Sequence, residues 1–147
     1  MIDKKFIGWE GPVFSADVEK GRLKFFAKAT GNTNPVYTDE ETAKAAGYPA
    51  LPAPPTFLFV LDFEQPGDPF GVMDVLGVNI GKILHGEQDF QYKKMIFAGD
   101  TITISSKITD IYDKKGGALE FIVQEYEAKN QHGELVATMA RSIVVRN

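Results

Sequence analysis

The 147-residue chain has no cysteine, which excludes disulfide cross-links, thiolate catalysis and cysteine-held zinc. It has two histidines, His85 and His132, too few for a histidine-rich metal site, so no metal is expected. Positive charge is also scarce: 16 Lys and Arg face 20 Asp and Glu, and the basic residues are scattered. Nucleic acid and anionic membrane each demand a basic patch, so neither is expected as the main partner. No run of about 18 apolar residues occurs, and Met1-Ile2-Asp3-Lys4-Lys5 lacks the apolar stretch of a secretion signal. A cytoplasmic location follows by default. Internal repeats, low-complexity tracts and Ser/Gly linkers are missing as well, so residues 1–147 are expected to form one domain.

Apolar material is plentiful. Hydrophobic residues make up 44% of the chain and 11 residues are Phe, enough for a core that needs no cross-links. So much Phe suits a core around a lipid-like cavity, although ordinary packing uses aromatics in the same way. The organisation changes once, near residue 80, from helices and Pro-rich loops to strands. A first helix is predicted over about Val18 to Thr30, with Val18, Phe25, Phe26 and Ala29 on one face. Ser15 or Asp17 is placed to cap it, and Gly31 to end it. Thr38-Asp39-Glu40-Glu41 has the spacing of a capping box and predicts a short second helix that closes before Gly47. Pro49 to Thr56 is too rich in proline to be helical. Phe57-Leu58-Phe59-Val60-Leu61 is apolar on every side and reads as a buried helix that starts after Pro55.

Beyond residue 82 the pattern is that of strands. Ile102, Ile104 and Ile108 share one parity and Ile111 breaks it, which predicts a bulge. Leu119, Phe121 and Val123 alternate, as do Leu135, Ala137, Met139, Ile143 and Val145. Asp113 to Gly117 and Asn130 to Gly133 read as hairpin connections, so three long strands form an antiparallel meander. A twisted sheet with one apolar helix in its concavity satisfies this pattern.

Two stretches are candidates for chemistry. Ala29-Thr30-Gly31-Asn32-Thr33-Asn34-Pro35-Val36-Tyr37 follows the first helix; His85-Gly86-Glu87-Gln88-Asp89-Phe90-Gln91-Tyr92 and Ala98-Gly99-Asp100 follow later. The first resembles the hydratase motif of the MaoC-type hot-dog family, Gly-Asp-x-Asn-Pro-x-His after an apolar helix. The second, with Pro54-Pro55-Thr56-Phe57 upstream, resembles the N-terminal MaoC-like dehydratase domain, including HadA-type subunits of (3R)-hydroxyacyl-ACP dehydratases. The resemblance spans about Phe6 to Val145. It implies an α+β hot-dog fold, an antiparallel sheet wrapped around a central apolar helix.

In that family, as the resemblance implies, water adds to or leaves a trans-enoyl thioester. A carboxylate and an imidazole handle the proton and the water, each worth roughly 10²–10⁴-fold. Backbone N–H groups at the start of the central helix polarise the thioester oxygen. The carboxylate position is Asn32 here and the imidazole position is Tyr37, at unchanged spacing. An amide accepts no proton near neutral pH, and a phenol of reference pKa about 10 replaces imidazole poorly. Asn34, Pro55, Thr56 and Phe57 are the substrate-binding candidates. As plain structure, Asn32 to Pro35 reads as a helix-ending turn and Tyr37 as a half-buried ring.

His85 and Glu87 are weaker acid/base candidates. On a regular strand His85, Glu87 and Asp89 share one face, opposite Gln88, Phe90 and Tyr92. Such a set is more often structural or solvated. Asp62 ends the apolar helix and reads as a solvated helix end, although hot-dog thioesterases place a carboxylate on that helix. Lys93-Lys94, Lys114-Lys115 and Arg141 are candidates to meet coenzyme A phosphates, although scattered surface charges need no such role.

The leading expectation is therefore an acyl-thioester-binding subunit of an enoyl-thioester hydratase or (3R)-hydroxyacyl dehydratase. It is expected to pair, as a homodimer or as a heterodimer with a catalytic hot-dog subunit that supplies the missing pair. The substrate would ride on coenzyme A or acyl carrier protein, with no other cofactor. The alternatives are a non-catalytic acyl-thioester-binding homodimer, or a hydratase or thioesterase with relocated catalytic residues.

Overall fold

A computed structural model describes residues 1–147. Its elements run β1 (Phe14–Asp17), α1 (Lys20–Ala29), α2 (Glu40–Ala45), α3 (Phe57–Asp62), α4 (Gly71–Leu76), β2 (Ile83–Tyr92), β3 (Thr101–Lys114), β4 (Leu119–Lys129) and β5 (Leu135–Arg146). The strands form a single antiparallel sheet in the order β1-β3-β4-β5-β2. The predicted meander is its centre, and β2 pairs back onto β5.

The sequence departs from its expected elements in two places. Ser15 and Asp17 do not cap α1; they lie in edge strand β1, where Ser15 Oγ bonds Thr103 Oγ1 at 2.8 Å and Thr101 donates to Asp17 at 2.9 Å. On α1 the buried residues are Leu23 and Ala27, whereas Phe25 is 74% exposed and Ala29 is also on the surface. The predicted stripe was misphased because helix start and strand end share the same few residues. Helix α4 lies in a stretch assigned no element from sequence, and ends on Gly77 in the left-handed region (φ 66).

The expected bulge is present: the β3–β4 register shifts between Ile108 and Asp110, which lets Ile108 and Ile111 both turn inward. The inner face of β4 is Glu120, Ile122, Gln124, Tyr126 and Ala128, while Leu119, Phe121 and Val123 lie on the outer face. Helix α3 packs against the inner face. Phe57, Leu58 and Leu61 are essentially inaccessible, each worth roughly 1.5–3 kcal/mol of burial. Phe59 and Val60 are half-buried, so the helix is covered on most sides rather than all. Leu51 and Pro52 run beside residues 96–98, with Ala53 N–H donating to Ile96 O and Ala98 N–H to Leu51 O, both at 2.8 Å. This anchors the proline-rich approach to α3.

Candidate functional site

The motif turn is built by its own side chains. Gly31 takes φ 69 to end α1, and Asn32 N–H donates to Ala27 O at 2.8 Å. Asn32 Oδ1 accepts from the Asn34 N–H, and Asn34 Oδ1 accepts from the Val36 N–H, both at 3.1 Å. Asn34 thereby caps the short 3₁₀ helix Pro35–Tyr37. Asn32 and Tyr37 are half-buried, and Asn34 is exposed. Upstream of the turn, Phe26 ties α1 to α3, its ring meeting Phe57 edge-on at 5.4 Å.

At the start of α3, Phe57 N–H donates to Pro54 O at 2.9 Å and Phe59 N–H to Thr56 O at 3.1 Å. Thr56 occupies the cap position without a capping side-chain bond, and the Phe57 side chain is buried in the core. Pro55 and Thr56 are exposed. Tyr92, which sequence reasoning did not single out, reaches this point from β2 and donates its hydroxyl to Pro55 O. Burial pushes the Tyr92 phenol up to about 12, against the pull of the Leu58 N–H beside it. Its one hydroxyl proton is spent on Pro55 O, so Tyr92 ties β2 to the start of α3.

The sheet separates His85 from Glu87. The β2–β5 register shifts between them, so His85 pairs with Ile143, Glu87 with Ser142 and Gln88 with Arg141. Paired residues share a face, so His85 lies inward with Gln88, Phe90 and Tyr92, while Glu87 and Asp89 lie outward. The regular alternation expected from sequence fails at Gly86. A β-carbon there would lie 2.8 Å from Val144 Cγ2 and 3.0 Å from the Ser142 carbonyl, so glycine permits the bulge. The acid/base pairing of His85 with Glu87 is thus not formed. His85 Nε2 instead hydrogen-bonds Gln88 Oε1 at 3.0 Å, and its ring lies 5.5 Å from that of Phe59. His85→Ala is expected to cost roughly 0.5–1.5 kcal/mol, the worth of an aromatic contact, and to affect stability or substrate affinity more than any turnover. A loss of about 10²-fold in rate with intact folding would instead make His85 a proton-transfer group.

Asp62 and Arg141 overturn their sequence readings. Neither is a solvated charge: Asp62 is 3% exposed and Arg141 9%. Arg141 Nη1 donates to Asp62 Oδ2 at 3.1 Å, and Nη2 donates to Gln124 Oε1 at 3.0 Å and to the Tyr126 hydroxyl. The guanidinium also lies 5.1 Å from the Tyr126 ring centre. Burial pushes the Asp62 carboxyl above its ordinary value, and Arg141 pulls it part of the way back. The Tyr126 phenol is pushed up by the same burial. This network bolts the end of α3 to the middle of the sheet.

An apolar cleft of about 200 Å³ opens beside it, lined by Phe59, Phe63, Phe70, Met73, Leu84 and Ile143, with His85 and Arg141. Phe63 stacks edge-on with Phe59 at 5.1 Å and with Phe70 at 5.9 Å. A second cavity of about 260 Å³ holds Asp62, Gln124, Tyr126 and Arg141 together with Trp9 and Pro66. Asn32 and Tyr37 line neither.

The sequence profile of the family described as "FAS1-like, dehydratase domain region" matches residues 5–139. The chain belongs to this family. Within it, the chain is similar to a UPF0336 protein of Streptomyces avermitilis, 36% identical over 99% of this chain and 95% of that protein. A UPF0336 protein of Streptomyces coelicolor is 37% identical, with the same coverage. Among solved structures, the C-terminally truncated HadBC (3R-hydroxyacyl-ACP dehydratase) complex from Mycobacterium tuberculosis is 26% identical to this FAS1-like chain. It has a TM-score of 0.77 and covers 94% of this chain and 96% of its own. A MaoC-like dehydratase reaches a TM-score of 0.82 at 22% identity, over 97% of this chain and 42% of the larger one. The fold is the MaoC-like hot-dog fold, as the motifs implied. No helix of this family member is long and apolar enough to cross a membrane.

Proposed function

We propose that this chain is the acyl-thioester-binding subunit of an enoyl-thioester hydratase, or in the reverse sense a (3R)-hydroxyacyl dehydratase. In this reading a second hot-dog chain supplies the carboxylate and imidazole. What supports it is the motif turn: by the resemblance Asn32 and Tyr37 take the two proton-transfer positions, and the Asn32 amide oxygen already accepts the Asn34 N–H. A turn that keeps its length and capping while losing both titratable groups retains a scaffold without its chemistry. Hydration adds hydroxide character to Cβ and a proton to Cα, so the partner's pair must move both. This chain would hold the acyl tail in its aromatic-lined cleft. The substrate rides on coenzyme A or acyl carrier protein, and no prosthetic group enters the proposal.

The sheet supports a partner. Strand β2 is an edge ten residues long, against four for the opposite edge β1, and such an edge is ordinarily closed by pairing. Sedimentation of the purified chain is expected to give a dimer or larger species; a monomer at micromolar concentration, alone and mixed with candidate hot-dog chains, counts against the proposal. The functional test is enoyl-coenzyme A hydration by this chain, by a hot-dog chain carrying an intact Gly-Asp-x-Asn-Pro-x-His motif, and by the two together. Activity that needs both, or rises on mixing, supports the reading. Thioester binding with no turnover in any mixture would leave a non-catalytic binding homodimer.

A further inference from the structure

We propose that the buried Arg141–Asp62 pair is the end stop of the acyl-tail cleft and so limits the chain length this subunit accepts. The proposal rests on the acyl-thioester reading above and names a residue pair that sets its specificity.

The cleft beside α3 is lined mostly by apolar side chains; exposed His85 and buried Arg141 are its polar residues. Phe63 and Phe70, exposed at 39% and 36%, open it to solvent, whereas Arg141 is 9% exposed. In the proposal a tail enters past Phe63 and Phe70 and ends against Arg141. Pro69, Val72 and Arg141 line both this cleft and the second cavity, so they form the wall between the two. Beyond that wall the surroundings are polar: Asp62, Gln124 and Tyr126 all face the second cavity.

A methyl terminus cannot go further without a cost. Pressing alkyl carbon onto a buried guanidinium gains no hydrogen bond and strips the group of what polar contact remains. Arg141 is already strained in this respect, since its Nε–H is buried without a partner. Moving the guanidinium aside would break three charge-assisted contacts at once, to Asp62, Gln124 and Tyr126. The wall is therefore held in place by the network rather than by packing alone. A cavity of about 150 Å³ holds a benzene ring. One of about 200 Å³ holds a segment of roughly six to eight carbons by the same measure.

The test is the affinity of the full chain for butanoyl-, hexanoyl-, octanoyl-, dodecanoyl- and hexadecanoyl-coenzyme A, measured by calorimetry. Affinity is expected to strengthen about fourfold per methylene while the tail fills apolar space, and then to level or weaken. In Arg141→Met/Asp62→Leu, which removes both charges, the rise is expected to continue into the longer chains. Val72→Phe narrows the wall without touching the ion pair and is expected to move the break to a shorter chain. It also decides the matter if the double variant does not fold. A wild-type affinity that climbs steadily through hexadecanoyl-coenzyme A overturns the proposal, as does a break unmoved in every folded variant. If no coenzyme A thioester binds, the functional reading falls by itself. The same series run with hexanol, octanol and decanol then decides the end stop independently of any thioester.

Discussion

Arg141→Ala is expected to lower the free energy of unfolding by about 3–5 kcal/mol, read as a drop in the urea midpoint with an unchanged slope. The cost comes from the residue left behind. Without Arg141, the Asp62 carboxylate, 3% exposed, has lost its cation and its only side-chain hydrogen-bond partner. Gln124 and Tyr126 lose their donor in the same step. Asp62→Ala strands the guanidinium and is expected to cost a similar amount. The two losses should not add, because each removes the same interaction. Arg141→Met/Asp62→Leu, with both charges gone, is expected to fall within about 1 kcal/mol of wild type or to exceed it. Single variants as stable as wild type would mean that solvent or a neighbour screens the pair, and the description of a dry network would be wrong.

The same pair predicts the direction of a pH effect. Asp62 titrates above its ordinary value of 3.8 because burial outweighs Arg141. The folded state therefore binds the proton more readily than the unfolded chain. The Asp62 contribution to stability is fully present below that ordinary value and is lost as pH rises through the raised one. The charge-free double variant lacks this loss, so its stability relative to wild type is expected to improve as pH rises across that window. The pair is thus better understood as a positioning device than as a source of net stability at neutral pH.

Much of this was readable from residue order, and the exceptions have physical causes. The isoleucine parity in β3 announced its bulge, and the proline-rich approach announced the helix that follows. The bulge at Gly86 announced nothing, because it depends on how closely Val144 and Ser142 approach from β5. One missing β-carbon moved His85 to the face opposite Glu87 and undid the acid/base pairing. The Arg141 network did leave a trace. Arg141 falls at the inward parity of β5, between Met139 and Ile143, and Gln124 falls at the inward parity of β4, between Ile122 and Tyr126. Two long polar side chains at inward positions on neighbouring strands needed a charge to satisfy them, and Asp62, one residue past Leu61, was that charge. Reading each residue by its own type made two solvated charges of Asp62 and Arg141, which the sheet assembles with Gln124 and Tyr126 into one cluster. Tyr92 was missed for a similar reason, since its hydroxyl meets Pro55 only after the sheet folds over the helix.

By itself this chain is expected to hydrate enoyl thioesters at least about 10⁴-fold more slowly than a hot-dog chain with the intact motif. In the proposed reading the chain still binds the thioester, but an amide and a phenol replace a carboxylate and an imidazole poorly. Asn32 presents an amide engaged with the Asn34 N–H, and Tyr37 a phenol. Asn32→Asp with Tyr37→His is the sharpest probe. Aspartate is nearly isosteric with asparagine and accepts the same backbone N–H, so the turn should keep its shape while gaining a carboxylate. Histidine at position 37 restores an imidazole on the same 3₁₀ turn, at the cost of a small void beside the half-buried ring. Measurable hydration by the folded double variant, absent from both single variants, would mark the turn as a hydratase site that lacks only its proton-transfer groups. Brisk turnover by the native chain, undiminished by Asn32→Ala or Tyr37→Phe, would place the chemistry elsewhere and sink the proposed role. A silent double variant restored by mixing with the intact-motif chain points the other way, toward a subunit whose tail cleft and edge strand serve a partner's active pair.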